Sequence, residues 1–243
     1  MSILNRKRLV DTYSSVGLQD LNYIQLSNRS LNEIDPETFK GLTKLEKIEI
    51  DQNSFKFIRL EFIGLVLLKE LNLSGNCLRD INLKAFDGLT RLEKLYLGCN
   101  QIKEIQPNLF NGLINLKVIG LGYNAITDIH PDTFKGLSKL NEVLLHANQL
   151  EKIDPTTFAG LKYLTKIEMW NNKFKTETIE LQLEDSVEFV CFKLTDRCIR
   201  NNLNQVIKKV FCLFTLIYIR INTYSILEKR AYTFTASSSN KSK

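Results

Sequence analysis

Leu68, Leu92, Leu116, Leu140 and Leu164 stand 24 residues apart. Phe86, Phe110, Phe134 and Phe158 keep the same step, as do Gly88, Gly112, Gly136 and Gly160, and Asn76, Asn100, Asn124, Asn148 and Asn172. A fixed period of this length is the mark of a repeat solenoid, in which each unit buries its apolar face only against its neighbours. It constrains function as well as fold, because solenoids present extended surfaces.

The unit reads L-x-x-L-x-L-x-x-N-x-L-x-x-I-x-x-x-x-F-x-G-L-x-x, and its best copy holds Leu92, Leu95, Leu97, Asn100, Ile102, Ile105, Phe110, Gly112 and Leu113. Over about residues 21–175 it resembles the leucine-rich repeat family in its typical 24-residue form, common in animal extracellular proteins. The resemblance implies an α/β repeat solenoid: a right-handed horseshoe with a concave parallel β-sheet and short helical or 3₁₀ turns on the convex side.

The spacing has its own physical sense. Leu95 and Leu97 share one face of a strand, while Lys94, Tyr96 and Gly98 point to the other. Asn100 and its equivalents are expected to turn inward and pair with backbone groups of the bend that would otherwise be buried without partners. The phenylalanines are expected to stack as a spine below the convex side. Pro36, Pro107, Pro131 and Pro155 share one offset, with Asp35 and Asp154 before two of them, so a short helical or 3₁₀ turn is expected there.

Departures from the pattern matter. The step from Leu45 to Leu68 is 23, so the coil with Phe62 and Gly64 is one residue short. Arg29 replaces the repeated Asn in the first copy, and the neighbouring Asn28 is a candidate substitute. Stepping back 24 residues from the first full copy finds Gly17, Leu18 and Val10, so Val10–Asp20 reads as the worn second half of an earlier repeat. The chain then divides into a degenerate partial repeat or N-terminal cap (1–20), seven repeats with the last incomplete (21–175), a capping or apolar segment (176–234) and a disordered tail (235–243). A fragment of a longer array fits this division. Thr176–Val190 is expected to add a strand to the open end of the sheet, and Val210–Ile219 to form a capping helix or strand. The apolar stretch is short for the roughly 20 residues a bilayer needs, so a membrane-anchored form through residues 206–227 is the weaker alternative.

Composition narrows the function classes. The net charge of +6 invites a nucleic-acid reading, but residues 21–175 carry 20 basic and 18 acidic side chains of mixed order, a solvated surface rather than a phosphate-binding stripe. The five cysteines (Cys77, Cys99, Cys191, Cys198 and Cys212) form no zinc spacing or disulfide framework. The two histidines, His130 and His146, lack partners at ligand spacing, and no phosphate loop or nucleophile–base pattern occurs. No catalytic, metal or cofactor site is expected. His130 reads as a surface residue at a cap position, and Cys99 as a free thiol.

The strand residues that face away from the core form three columns. Their N-terminal half is polar and acidic (Glu49, Asp51, Glu70, Asn72, Ser74). Their C-terminal half carries Tyr96, Val118, Leu144, His146 and Trp170, with Tyr123 just beyond, around a dip expected at Gly98, Gly120 and Gly122. Aromatic side chains gathered in a concavity are the material of binding hot spots. The candidate partner-binding residues are therefore Tyr96, Tyr123, Leu144, His146 and Trp170. The competing expectation is scattered apolar residues covered by the C-terminal segment.

By resemblance, the expected function is non-enzymatic recognition of a protein ligand on the concave face, as in a receptor or matrix protein, with no nucleic acid. The alternative is an architectural segment of a longer array with its binding site elsewhere. Family resemblance points to an extracellular or cell-surface setting. The N-terminus lacks the apolar stretch of a signal peptide, which leaves a cytoplasmic protein or a fragment as the alternative.

Overall fold

The computed structural model describes residues 2–174 and the strands Thr178–Leu183, Phe189–Cys191, Ile199–Arg200, Tyr218–Thr223 and Arg230–Phe234. The 235–243 tail and residues 210–217 of the apolar stretch lie outside the described residues.

Seven short strands, Tyr23–Gln25, Lys47–Glu49, Glu70–Asn72, Lys94–Tyr96, Val118–Gly120, Glu142–Leu144 and Lys166–Glu168, pair in parallel in chain order. Each presents one residue to the core (Ile24, Ile48, Leu71, Leu95, Ile119, Val143, Ile167), and all seven are fully buried. The register is unbroken across the short coil, where Lys47 faces Glu70 and Ile48 faces Leu71. The missing residue is instead taken out on the convex side. Ile58 and Phe62 are four apart, against five for Ile34 and Phe39.

The repeated asparagines do what buried backbone requires. Asn76 Oδ1 accepts from Phe55 N at 3.1 Å in the preceding coil, and its Nδ2 donates to Leu73 O at 3.0 Å and Ile50 O at 3.2 Å. The pattern recurs from Asn53 to Asn172 and ties each coil to the one before it. Asn28 does not take this role in the first coil. It sits in the left-handed region (φ 55°), at the position that also holds Gln52, Gly75, Cys99, Tyr123, Ala147 and Asn171, all with φ between 52° and 65°. A left-handed residue thus precedes the asparagine position in each of these coils, and that column has no common residue type.

The phenylalanine spine is present. Phe39 stacks on Phe62, and Phe86, Phe110, Phe134 and Phe158 stack in series at 5.8–6.5 Å between ring centroids. The connections between strands are mostly tight turns, with 3₁₀ segments at Leu18–Asp20 and Pro131–Phe134. His130 caps the second of these, its Nδ1 accepting from Asp132 N. Asp35 and Asp154 close local turns by accepting from the backbone N–H two residues on. From Gly41 to Gly160 each coil returns through a glycine with positive φ, as at Gly112 (84°), where a side chain would be strained although space is open.

The N-terminal end departs from the expected register. Val10 is 48% exposed and lies on a helix, Arg6–Thr12, capped by Asn5. The aliphatic position belongs to Leu4, on a strand (Ile3–Leu4) paired with Glu33–Ile34. Leu4 and Leu9 keep the five-residue spacing of Ile34 and Phe39, and both are fully buried. The helix absorbs six extra residues, since Ile34 and Leu4 are 30 apart rather than 24. A 24-residue step therefore landed on the wrong side chain.

The C-terminal end also differs from expectation. The strand that extends the sheet beyond Lys166–Glu168 is Phe189–Cys191, in parallel, followed by Ile199–Arg200 in antiparallel. Thr178–Leu183 pairs instead with Tyr218–Thr223 in a separate sheet. It still covers the core, because Leu181 and Leu183 are buried in it and Gln182 N donates to Pro155 O at 2.7 Å. Among the described residues, no helix is long and apolar enough to cross a membrane.

Candidate functional site

The concave face divides into two chemically distinct halves. In the first, charges satisfy one another. Lys47 Nζ lies 2.8 Å from Glu49 and 3.1 Å from Glu70, and Lys94 reaches Glu70 at 3.5 Å. The Tyr23 hydroxyl donates to Glu49, and Ser27 to Asp51. The hydrogen bond to Glu49 pushes the Tyr23 hydroxyl up to about 12, and the bonds to Glu49 and Glu70 raise the Lys47 ammonium. Lys47 in turn holds the Glu49 carboxyl below its ordinary value, with Tyr23 adding to it.

The second half gathers the aromatic residues. Tyr96, Tyr123, Leu144 and His146 line a shallow depression of ≈ 180 Å³, together with Ser74, Gly98, Cys99, Gly120 and Gly122. Trp170 does not line it; it forms the wall behind. Its ring stacks on His146 at 4.5 Å and 11°, and Tyr123 stands edge-on to both, at 5.2 Å from His146 and 6.0 Å from Trp170. Tyr123 is 51% exposed, whereas Tyr96, Leu144, His146 and Trp170 are half-buried. The structure thus brings all five predicted residues into one cluster, with Trp170 as its backing rather than its contact surface.

The glycines are not an empty dip. Gly120 and Gly122 are buried because rings lie on them. A Cβ on Gly122 would meet the His146 ring at 2.5–2.8 Å, and one on Gly120 would meet Tyr96 Cδ1 at 3.1 Å. The two glycines let the ring of a neighbouring coil lie flat on the sheet, and the depression is what remains between those rings. The exposed free thiol of Cys99 belongs to the lining. Cys99 and Tyr123 both occupy the left-handed column, which no recurring residue type announces in the sequence.

His146 is the titratable group of the cluster. Its Nδ1 is buried, lies 3.1 Å from Glu168 Oε2 and is outside hydrogen-bonding geometry. Burial lowers the imidazole pKa below its ordinary value, against the pull of Glu168, and Lys166 acts in the same direction as burial. Burial also raises the Tyr96 hydroxyl. At neutral pH the depression is therefore an uncharged aromatic surface, edged by the Lys166–Glu168 pair at 2.7 Å. Among the described residues, no group of three or more His, Cys, Asp or Glu side chains could hold a metal ion.

The family model described as "Leucine rich repeat" matches residues 4–55, 47–101 and 90–150. Among solved structures, the chain superposes on the TLR13–ssRNA13 complex with a TM-score of 0.64 at 24% identity, over 79% of this chain and 31% of that one. It superposes on the Leptospira interrogans LRR protein LIC12759 with a TM-score of 0.58 at 26% identity, over 65% of this chain and 39% of that one. The chain spans less than half the length of either.

Proposed function

The chain belongs to the leucine-rich repeat family, whose folds are generally protein-binding and non-enzymatic, and on that premise we propose that it recognises a protein partner through the C-terminal half of its concave face. The carrying observation is the cluster of Tyr123, His146 and Trp170 packed ring against ring beside Tyr96 and Leu144, on a sheet whose N-terminal half is polar, with Lys47, Glu49, Glu70 and Lys94 paired among themselves. Aromatic side chains that are partly desolvated dominate interface energetics, and here Tyr96 and Tyr123 line the depression while Trp170 holds its wall.

Tyr123 holds φ at 56°, as Gln52, Cys99 and Ala147 do at the same position of other coils, so the conformation belongs to the repeat and costs a side chain roughly 1–2 kcal/mol. What distinguishes Tyr123 within that column is the ring it sets edge-on to His146 and Trp170.

One structural relative is seen in complex with single-stranded RNA. Phosphate recognition needs available cations. On this face Lys47, Lys94 and Lys166 all contact carboxylates, and Glu49, Asp51, Glu70, Glu142 and Glu168 outnumber them. That balance favours a protein ligand. The proposal applies equally outside the cell and in the cytoplasm, both common settings for leucine-rich repeat proteins.

Affinity capture with the full chain, followed by peptide identification, tests the proposal. Tyr123→Gly and Trp170→Ala are each expected to abolish capture, and Tyr123→Gly leaves stability unchanged or raises it by up to about 1 kcal/mol. Undiminished capture by both variants rejects the site. Retention of single-stranded RNA in place of a protein rejects the partner class.

A further inference from the structure

The short coil carries a second surface, on the opposite side of the molecule. Phe57, Leu60, Ile63 and Val66 follow its convex course and are 53%, 45%, 49% and 49% exposed. The repeat supplies an internal comparison. The same positions hold Glu33, Glu37, Lys40 and Thr43 in the coil before, and Asp80, Lys84, Asp87 and Thr90 in the coil after. The later coils keep the polar pattern, apart from Ile114 and Ala159. Four changes from polar to apolar in one coil are not the scatter of single hydrophobic residues found on any surface. An apolar stripe with polar rows on both sides has the composition of an association site.

We infer that this stripe is a self-association surface and that its occupant is the same stripe of a second copy of this chain. The flanking rows favour that occupant. Beside the stripe, the turn positions read Glu37 then Lys40 on one side and Lys84 then Asp87 on the other, with Glu37 and Lys40 already 2.7 Å apart within the chain. A two-fold axis lying in this face can run along the coils or across them. Along the coils, it sets Glu37 opposite Lys84 and Lys40 opposite Asp87. Across them, it sets Glu37 opposite Lys40 and Lys84 opposite Asp87. Opposite charges meet at the turn positions in both cases, but the axis along the coils also sets Glu33 opposite Asp80, so the axis across the coils is the one with the self-complementarity that an isologous contact requires. One stripe and its two flanking rows are small beside a standard interface, so the dimer is weak and forms in the micromolar range or above. The contact leaves the concave face free and does not depend on the function proposed for it.

Sedimentation velocity of the full chain over a micromolar concentration series tests the inference. The expected result is a concentration-dependent monomer–dimer equilibrium. Ile63→Lys with Val66→Thr gives the coil the side chains of its neighbour and should weaken dimerisation by at least about tenfold. Lys40→Glu with Lys84→Glu makes the turn positions of both rows acidic and should also abolish the dimer, in either arrangement of the axis. Circular dichroism melting should show both variants folded. A chain that stays monomeric throughout overturns the inference, as does a dimer that survives either pair of substitutions unchanged.

Discussion

Glu61 is a carboxylate inside a convex turn, 6% exposed, where the other coils place Thr38, Ala85, Leu109, Thr133 and Thr157. One oxygen accepts from Arg59 N at 2.7 Å, and burial raises the carboxyl above its ordinary value despite that bond. A carboxyl whose folded pKa is raised favours folding while it is protonated. That contribution is complete below the unfolded pKa and is lost as pH rises through the folded one. Glu61→Gln keeps an acceptor for Arg59 N and removes the buried charge. The variant should therefore melt higher than the parent at neutral pH, and the gap should close near about pH 3, where both side chains are neutral. Thermal melts at the two pH values check this, and a gap that widens on acidification rejects it. Nothing in the periodicity announced this residue, because a pattern of leucines is silent about what fills the one short turn.

Strands, turns and spine were legible to the extent that they repeat. The inward leucines, the asparagine ladder and the stacked phenylalanines recur in type as well as position, so each copy supported the next. The left-handed column recurs in backbone conformation only, through Asn28, Gln52, Gly75, Cys99, Tyr123, Ala147 and Asn171. It was invisible, although it sets how Tyr123 leaves the sheet. The N-terminal helix was missed for a related reason: the sequence there keeps the glycine and leucine of the pattern (Gly17, Leu18) but inserts a helical turn before them. Four of the five candidate residues were legible from strand alternation, and Tyr123 only as the neighbour of the third column. Their arrangement was not, because it depends on rings crossing from the coils on either side onto Gly120 and Gly122. That crossing makes Trp170, the only tryptophan, a reporter of the cluster. Protonation of His146, stacked on it at 4.5 Å, should quench its fluorescence as pH falls, with a midpoint below the ordinary histidine value. Gly122→Ala places a methyl group where the imidazole lies, so it should lift the ring off Trp170 and abolish that titration. An unchanged titration in Gly122→Ala would show that the imidazole does not depend on that space.

A solenoid is held together coil by coil, so its stability is a sum of nearest-neighbour terms and its ends decide where it opens first. Both ends of the described repeats are covered, by a partial coil at the start and by a strand from outside the regular pattern at the other end. At the start, Leu4 and Leu9 close the core below Ile34 and Phe39. At the other end, Leu181 and Leu183 are 1% and 2% exposed, on a strand anchored to the preceding turn through Gln182 N and Pro155 O. The coils between have no such options, because each already spends its leucines on its neighbours. Replacing Leu181 with Ala removes about 2–5 kcal/mol of packing, and in a one-dimensional stack that loss falls on the adjoining coil before any other. Hydrogen exchange followed by mass spectrometry should then show faster exchange across residues 140–174, with Tyr23–Gln25 through Lys94–Tyr96 protected as before. Trp170 lies in the coil that opens, so the aromatic cluster should loosen with it and partner affinity should fall without any change to a contacting residue. Uniform acceleration along the whole chain would instead mean that the solenoid melts as a single unit. Unchanged exchange would mean that Thr178–Leu183 does not seal the core.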